Sequence, residues 1–278
     1  MHTVATLLDG ALAQGLPRID AQMLLLHVCG RETHDRAWLI AHASDALSFA
    51  QSDALKQAVQ RRLSGEPVAY ITGRKAFYGL DLHITPAVLD PRDDTETLVD
   101  WALQLIPADR AFNVLDLGTG SGAVALAIAH QRAEAQITAT DASSEALSVA
   151  RSNAQRLGLP LRLVHSDASV PHWFSSLQGE VFDLIVSNPP YIAEGDVHLG
   201  ALQHEPMMAL TSGSDGLDAI RSIIAHAPQH LRSGGHLLLE HGYDQAARVR
   251  SLFDAHGFTS TATRQDLACT DRCTGAIR

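Results

Sequence analysis

Residues 112–122 read FNVLDLGTGSG. A mainly apolar run ends at Asp116-Leu117 and is followed by three glycines at alternate positions. The run has the length and composition of a buried strand, and helical spacing begins at Ala123. Glycines let the backbone turn tightly and approach a ligand, and the N-terminus of the next helix points N–H groups at the same place. The segment therefore predicts a strand, a ligand-binding loop and a helix in succession.

The same alternation of strand and helix continues along the chain. The other strand-like runs are 136–141, 161–166, 182–187 and 236–240, and the helical stretches are 123–132, 144–157, 215–231 and 244–256. Further β-like residues lie at 258–262 and 273–278. Apolar strands that alternate with helices form a parallel sheet covered on both faces. The predicted fold class is α/β, and ligands are expected at the carboxyl ends of the strands.

The first 75 residues have a different pattern, with apolar residues at helical spacing that predict a small helical bundle. Residues 76–91 have β character, a glycine turn and interrupting prolines, which predict a β-hairpin linker. The predicted organisation is a helical domain at 1–75, a linker at 76–91 and an α/β domain at 92–278.

The charge distribution bears on the partners of this 278-residue chain. Its formal net charge is −10, from 21 basic and 31 acidic residues. Residues 1–75 carry a net +1 and the remainder carries −11. Nucleic-acid binding needs phosphate neutralisation, so this balance argues against a direct nucleic-acid partner.

Cysteine usage and hydropathy bear on the compartment. Mean hydropathy is 0.00, and no run is apolar and long enough to span a membrane. The N-terminus has no basic region of the kind that opens a signal peptide. Three cysteines, Cys29, Cys269 and Cys273, favour a reducing cytoplasm over a disulfide framework. Cys269 and Cys273 have no second pair of ligands nearby, so no metal site is expected.

Acidic and aromatic residues follow the next two strands. Asp141 ends the second strand, where a carboxylate can accept hydrogen bonds from both hydroxyls of a ribose. It can also cap the following helix, but Ser143 and Ser144 are able to do so instead. Asp167 ends the third strand, and Trp173 lies downstream. Either can contact a nucleobase, while a solvated acid and a core tryptophan are the plainer interpretations.

The segment Asn188-Pro189-Pro190-Tyr191 follows the fourth strand. Prolines cannot continue a central strand, so the backbone is stiffened at the sheet edge. The Asn188 side chain and the Pro189 carbonyl can together accept both hydrogens of a planar –NH2 group, and Tyr191 can pack against its face. Positioning such a weak nucleophile suits methyl transfer to nitrogen.

The glycine loop admits two ligands. Gly118, Gly120 and Ala123 satisfy the dinucleotide-binding pattern. Gly118-x-Gly120-x-Gly122 also resembles the loop of enzymes that bind S-adenosylmethionine (SAM). A dinucleotide oxidoreductase is the weaker interpretation, because no proton-transfer residue accompanies the loop.

Asp116-x-Gly118-x-Gly120-x-Gly122 together with Asn188-Pro189-Pro190-Tyr191 resembles the motifs of class I SAM-dependent amino-methyltransferases. An ordered set of segments narrows the resemblance to the peptide chain release factor glutamine-N5 methyltransferases. These segments are GEPVAYITG (65–73), FYGL (77–80), PRDDTE (91–96), EPMMAL (205–210), DGL (215–217), LLLEHG (237–242) and DLA (266–268) with Asp271-Arg272. The resemblance extends from residue 19 nearly to the C-terminus.

The resemblance implies a Rossmann-like, seven-stranded class I methyltransferase sheet behind an N-terminal helical domain. It implies methyl transfer from SAM to the glutamine of the Gly-Gly-Gln loop of bacterial release factors, with no metal. The implied SAM-binding residues are Gly118, Thr119, Gly120, Ser121, Gly122, Asp141, Trp173 and Asn188. The implied substrate-binding residues are Asn188, Pro189, Pro190 and Tyr191, of which Asn188, Pro189 and Tyr191 would serve catalysis. The helical domain is expected to help dock the release factor.

Two departures from the family pattern stand out. Asp90 and Asp93 replace an apolar residue and a proline, which can alter the lid near the substrate. An apparent insertion at 168–172 leaves Asp167, Ala168 and Trp173 as competing contacts to adenine. The alternative functions are an adenine-N6 nucleic-acid methyltransferase and a SAM-binding interaction protein without turnover.

Overall fold

The computed structural model describes residues 2–166 and 173–278. These residues form two compact units. The first contains Met1–Arg74 together with Ala201–His204, and the second contains Lys75–Gly200 and Glu205–Arg278.

The first unit is a helical bundle, as the apolar spacing predicts. Its helices are α1 (Val4–Ala13), α2 (Arg18–Val28), α3 (Arg36–Ala41), α4 (Phe49–Leu63) and α5 (Val68–Thr72). Thr3 and Ser48 cap α1 and α4, and each cap is reciprocated by the side chain three residues later, which satisfies otherwise unpaired N–H groups. Buried leucines from α2 form the centre of its apolar core.

A hairpin is formed by β1 (Arg74–Phe77) and β2 (Leu80–His83), and from Lys75 onward it belongs to the second unit. A 3-10 turn, Asp93–Thr95, leads into α6 (Glu96–Leu105). Glu96 accepts a hydrogen bond from the backbone N–H of Tyr78 at 2.8 Å, which ties the helix to the hairpin turn.

Seven strands of the described chain form one sheet in the order β5-β4-β3-β6-β7-β9-β8. The strands are β3 (Phe112–Leu117), β4 (Ala135–Asp141), β5 (Arg162–His165), β6 (Phe182–Ser187), β7 (Leu231–Glu240), β8 (Thr259–Gln265) and β9 (Asp271–Ile277). The first five strands along this order are parallel, whereas β9 pairs antiparallel to both β7 and β8. This architecture confirms the predicted α/β class.

The remaining helices connect these strands: α7 (Ala123–Gln131), α8 (Ser144–Leu157), α9 (Asp218–His230) and α10 (Ala246–Ala255). Two short 3-10 segments, Val197–Leu202 and Met207–Ala209, lie between β6 and α9. The interiors of the five central strands contain runs of buried residues, as is typical of a sheet covered on both faces, whereas the edge strands β5 and β8 contain none.

Two predicted elements begin three or more residues away from their start in the structure. The strand predicted at 236–240 begins at Leu231, because Gly234 and Gly235 give the sequence the look of a turn while the backbone there stays paired. The helix predicted from 215 begins at Asp218, since Gly216 has a φ of +74°. Among the described residues, no helix combines the length and apolarity that crossing a membrane requires.

Candidate active site

A cavity of about 470 Å³ opens at the carboxyl ends of β3, β4 and β6. Eight of the predicted site residues line it: Gly118, Thr119, Gly120, Ser121, Asp141, Trp173, Asn188 and Pro190. Segments near residues 87–91 and 206–212 also contribute to the lining. Gly122, Pro189 and Tyr191 are not among the lining residues. The structure therefore brings the predicted SAM loop and the Asn-Pro-Pro segment to one cavity.

The glycine loop after β3 needs its glycines for conformation and for space. Gly118, Gly120 and Gly122 have φ values of +70°, +55° and +84°, a region that other residues enter only with strain. A Cβ on Gly118 would lie 3.0 Å from the ring of Trp173. A Cβ on Gly122 would lie 3.0 Å from Leu126 Cδ1, so this glycine allows the loop to pack on α7.

Asp116, just before the loop, is buried. Its Oδ2 accepts a hydrogen bond from the Thr119 hydroxyl at 2.7 Å, which holds the loop against the end of β3. Burial raises the pKa of Asp116 to about 7, although the Thr119 hydroxyl opposes the shift. Asp116 also lines the cavity, so the cavity wall contains a carboxyl group with a pKa of about 7.

Asp141 connects the end of β4 to the glycine loop. Its Oδ2 accepts the backbone N–H of Gly120 at 2.8 Å, and its Oδ1 accepts that of Ser143 at 2.9 Å. Burial raises its pKa, and these backbone donors oppose the shift. Each carboxylate oxygen has a further lone pair, so Asp141 can still accept from a ligand. Ser143 caps α8 through the N–H of Ala146, so Asp141 is not needed as the cap.

Trp173 is the aromatic residue of the cavity. Its ring lies against Gly118 and also packs on the apolar core beneath the sheet. The side chain thus serves the cavity wall and the core together. The competing adenine contacts Asp167 and Ala168, and the rest of the 168–172 insertion, lie outside the described residues.

The Asn-Pro-Pro-Tyr segment begins directly after β6. Asn188 Nδ2 donates a hydrogen bond to Thr95 Oγ1 at 3.2 Å, so the side chain is fixed from the end of the 3-10 turn. Pro189 is buried, and Pro190 lines the cavity beside Asn188. With Nδ2 occupied by Thr95, the Oδ1 atom of Asn188 is the acceptor left for a ligand.

Tyr191 has contacts that differ from the sequence expectation. Its ring packs against the core of the sheet, and its hydroxyl donates to Glu240 Oε1 at 3.3 Å. Burial and the nearby Glu240 raise the pKa of Tyr191. The Tyr191 carbonyl accepts a hydrogen bond from Gln245 Nε2 at 2.9 Å. These bonds immobilise the end of the segment. The packing of the Tyr191 ring against a substrate –NH2 group stays a prediction.

Asp90 and Arg92 lie behind the cavity wall formed by Leu89 and Pro91. Arg92 forms an ion pair with the buried Glu205 and a 3.4 Å pair with Asp90 Oδ2. Burial raises the pKa of Asp90. The side chain of Asp93, in contrast, is 86% exposed and pairs with Lys75 at 3.4 Å. The two departures from the family pattern therefore have different environments.

Three residues at the site had no predicted role: Thr95, Asp116 and Glu240. All three are buried polar residues, and all three occur in the segments that carry the resemblance. The rule that singled out Asp141, an acid at the carboxyl end of an apolar strand, applies equally to Glu240 at the end of β7. Thr95 had no signal of this kind, because it lies outside the sheet.

Two family models match parts of this chain. Residues 95–214 match the family model "Methyltransferase small domain", and residues 7–73 match the model "PrmC N-terminal domain". A solved methyltransferase from Pyrococcus furiosus has the same fold, with a TM-score of 0.53 at 21% identity, and covers 80% of this chain and 97% of its own.

Curated relatives match over nearly the whole chain. The release factor glutamine methyltransferase of Xylella fastidiosa strain Temecula1 is 49% identical, covering 95% of this chain and 94% of the relative. That of Bordetella pertussis is 47% identical over 97% of this chain and 98% of the relative. These matches confirm the resemblance seen in the sequence. The chain therefore belongs to the family of release factor glutamine methyltransferases.

Proposed function

We propose that this protein transfers a methyl group from SAM to the side-chain amide nitrogen (N5) of the glutamine in the Gly-Gly-Gln motif of peptide chain release factors. The observation that carries the proposal is that Asn188 and Pro190 line the same cavity as the glycine loop and Asp141. A methyl donor and a planar –NH2 group would thus meet at one sheet edge. The family of the curated relatives supports the choice of substrate.

The residues of the cavity fit SAM. The left-handed glycines let the ligand approach the backbone, the Asp141 carboxylate has lone pairs left for ribose hydroxyls, and Trp173 offers an aromatic face. Gly118 to Ser121, Asp141, Trp173 and Asn188 would hold the molecule, with Gly122 supporting the loop from behind. When bound, SAM supplies an electrophilic methyl group on a positively charged sulfur.

The contribution of the chain is to position the nucleophile. An amide nitrogen is a weak nucleophile because its lone pair is delocalised into the carbonyl. Asn188 Oδ1 and the Pro189 carbonyl would accept its two hydrogens, which orients the nitrogen and favours a pyramidal geometry. Positioning of this kind, together with fixed dipoles, lowers the activation free energy of methyl transfer by roughly several kcal/mol. The nitrogen becomes acidic as it is alkylated, so no strong base is required.

The alternative targets have less support. Adenine-N6 methylation would use the same –NH2 geometry, but residues 76–278 carry a net charge of −11, which repels a polyphosphate. A binding protein without turnover would not need the fixed orientation of Asn188. The proposed substrate implies a reaction in the cytoplasm, where translation terminates.

The test is transfer of label from labelled SAM. Purified protein is incubated with a release factor, with the same factor whose motif glutamine is changed to alanine, and with a DNA duplex. We expect label only on the intact release factor. Label on DNA alone would contradict the proposed substrate, and bound SAM without transfer to any target would support the binding-only alternative.

For the helical unit we propose a role in docking the release factor. Its supporting observation is that two large apolar side chains, Ile40 and Phe49, are 81% and 85% exposed. Phe49→Asp should raise KM for the intact release factor without changing the rate on a short Gly-Gly-Gln peptide. Lys56→Gln, on the same helix, makes the net charge more negative by the same one unit and is the matched control. An unchanged KM in Phe49→Asp would contradict the docking role.

A further inference from the structure

Gln245 lies where the loop after β7 meets the Asn-Pro-Pro-Tyr segment that follows β6. Ser187 of β6 pairs with Leu239 of β7 in parallel register, so the two segments leave the sheet side by side. Gln245 is only 7% exposed and stands directly before the first residue of α10. It is not among the described residues that line the cavity, so any part it plays in the reaction is indirect.

The Gln245 side chain connects two stretches of backbone. Its Oε1 accepts the N–H of Gly242 at 2.9 Å, and its Nε2 donates to the carbonyl oxygen of Tyr191 at 2.9 Å. The backbone N–H of Gln245 also donates to the Gly242 carbonyl at 3.0 Å. One residue therefore closes the loop after β7 and attaches that loop to the end of the Asn-Pro-Pro-Tyr segment.

The two partners of the Gln245 amide fix its orientation. A backbone N–H is only a donor and a carbonyl oxygen is only an acceptor, so Oε1 has to face Gly242 and Nε2 has to face Tyr191. The reversed amide would place oxygen against oxygen and nitrogen against nitrogen, and both bonds would be lost. Gln245 thus presents a fixed N–H donor to the Tyr191 carbonyl.

The Asn-Pro-Pro-Tyr segment has few backbone groups by which it can be held. Pro189 and Pro190 have no N–H, so neither can donate a backbone hydrogen bond to a neighbour. In the proposed function the Pro189 carbonyl accepts a hydrogen of the target amide, which leaves it unavailable as an anchor. The Tyr191 carbonyl is therefore a backbone anchor of the segment, and Gln245 supplies its donor.

The backbone packs closely around this hydrogen bond. A Cβ on Gly216 would lie 2.3 Å from the Tyr191 carbonyl oxygen and 2.8 Å from Gln245 Nε2. The turn before α9 thus contacts both the donor and the acceptor. Only a glycine leaves the space that the bond between them needs.

The chain beyond Tyr191 continues into another part of the cavity wall. Ile192 donates to the Leu210 carbonyl at 2.9 Å and accepts the N–H of Ser212 at 2.9 Å. Ser212 lines the cavity, and its Oγ accepts the N–H of Ala219 in the first turn of α9 at 2.7 Å. The Tyr191 carbonyl is therefore held at the junction of two cavity-lining segments.

We propose that Gln245 is a positioning residue that acts through the Tyr191 carbonyl to hold Asn188 Oδ1 and the Pro189 carbonyl in place for the target amide. The proposal rests on the proposed function, in which these two oxygens accept the amide hydrogens. Because each proline has a fixed φ, a displacement of Tyr191 is passed along the segment to these acceptors. Loss of the Gln245 bond should therefore lower kcat more than it lowers the affinity for SAM.

Two substitutions of Gln245 test this role in different ways. Gln245→Met has a similar length and removes both the donor and the acceptor. Gln245→Glu keeps an oxygen for the Gly242 N–H, but its ionised form places a second oxygen against the Tyr191 carbonyl. The introduced carboxyl can donate to that carbonyl only when it is protonated, so a low pH should restore the bond. Burial and the facing carbonyl both favour the protonated form.

Charged groups on the surrounding segments stay the same in every variant. These groups are Asp215, Arg221, Glu240, Asp244 and Arg248, of which Asp215 pairs with both arginines. Each kcat is divided by the wild-type kcat at the same pH, so that the titration of these groups cancels. A change of this ratio with pH then reports the introduced carboxyl.

The experiment measures kcat and KM on an intact release factor from pH 5.5 to 8.5, the Kd of SAM by calorimetry, and thermal unfolding. Full-length wild type is compared with the two Gln245 variants and with two controls. Gln155→Glu adds the same charge at an exposed position of α8. Phe253→Leu removes buried volume about two turns further along α10, and so lowers stability without changing the Gln245 bonds.

We expect Gln245→Met to lower kcat at least about tenfold at every pH, with KM and the Kd of SAM within about threefold of wild type. Gln245→Glu should be at least as slow at pH 8.5, and its kcat relative to wild type should rise as the pH falls to 5.5. Gln155→Glu should stay within about twofold and show no such rise. Phe253→Leu should unfold at a lower temperature and keep kcat within about threefold.

A kcat for Gln245→Met within about threefold of wild type would overturn the proposal. A relative kcat for Gln245→Glu that does not rise at pH 5.5 would overturn it as well. If Gln245→Glu does not fold, Gln245→Met and Phe253→Leu decide, because equal losses of kcat in these two variants would assign the effect to stability. Failure of the proposed function would look different, since wild type itself would then transfer no label to the release factor.

Discussion

The Asp141 carboxylate accepts the backbone N–H of Gly120 at 2.8 Å, so the end of one strand fixes the conformation of the loop that follows its neighbour. Asp141→Asn should weaken SAM binding by about tenfold to a hundredfold, because a hydrogen bond to a charged group contributes about 1.5–3 kcal/mol. Calorimetric titration measures the effect. Glu145→Gln removes the same charge from the first turn of α8, outside the cavity lining, and should stay within about twofold. Equal losses in both variants would show that net charge, and not the bond, is responsible.

Asn188→Ala should lower kcat by about 10²–10³-fold, a larger loss than the accompanying loss of SAM affinity, because it removes a fixed acceptor for the reacting amide. Single-turnover methylation of a release factor measures this rate. Asn113→Ala makes the same change near the start of β3, at the opposite end of the sheet, and should leave kcat unaltered. A larger effect on SAM affinity than on kcat would assign Asn188 to cofactor binding alone.

Gly216 should tolerate no side chain, because a Cβ there would lie 2.3 Å from the carbonyl oxygen of Tyr191. Its φ of +74° adds strain of about 1–2 kcal/mol for any other residue. Gly216→Ala should therefore reduce the free energy of unfolding by about 3 kcal/mol and lower kcat by displacing the Asn-Pro-Pro-Tyr segment.

Gly195→Ala is the matched control for this steric effect. Gly195 has a φ of +83° with no atom within 4 Å of an added Cβ, so only the backbone strain applies. Chemical unfolding and kcat should separate the two variants. If Gly195→Ala were as damaging as Gly216→Ala, the close approach to Tyr191 would not be the cause.

Asp90→Asn should raise the free energy of unfolding at pH 7.5 by about 1 kcal/mol, because the buried carboxylate carries a desolvation cost. Burial raises the pKa of Asp90, and its Oδ1 has no hydrogen-bond partner within the described part of the chain. The difference in the free energy of unfolding between Asp90→Asn and wild type should shrink as the pH falls, because the wild-type Asp90 carboxylate then takes up a proton. Asp93→Asn, at an 86% exposed side chain, should change stability by less than about 0.5 kcal/mol. A loss of stability in Asp90→Asn would mean that its pairing with Arg92 outweighs the burial cost.

Glu240 should make stability depend on pH in a defined direction. Its pKa rises from an unfolded value of 4.5 to about 7, so the folded state binds the proton more tightly. The resulting stabilisation is complete below pH 4.5 and is lost as the pH rises through about 7. Relative to Glu240→Gln, wild type should lose up to about 3 kcal/mol between pH 5 and 8. Denaturant unfolding at both pH values measures this difference, and a constant difference would contradict the raised pKa.

The sequence alone predicts the fold and predicts which residues lie at the carboxyl ends of the central strands. The glycine loop, Asp141 and Asn188 were predictable because chain order and the geometry of parallel sheets place strand ends together. The role of Thr95 was not predictable, because its contact with Asn188 joins residues 93 positions apart and depends on how the 3-10 turn meets the sheet. Tyr191 was assigned to the substrate from its neighbours in sequence, whereas its hydroxyl bonds to Glu240, 49 positions later. Strand patterns specify which edge a residue occupies, but not which side-chain contacts form there.

The antiparallel strand β9 has a consequence for how the molecule is built during synthesis. β8 pairs with β9, which separates it from β7. During synthesis β8 emerges first but has no place in the sheet until β9 follows. β9 also brings Arg272 toward Glu240, because Cys273 pairs with Glu240 in the ladder. A nascent chain that ends at β8 would already contain the glycine loop and Asn188, yet would lack the cation facing Glu240. The charged surroundings of Glu240 are therefore completed only when β9 joins the sheet.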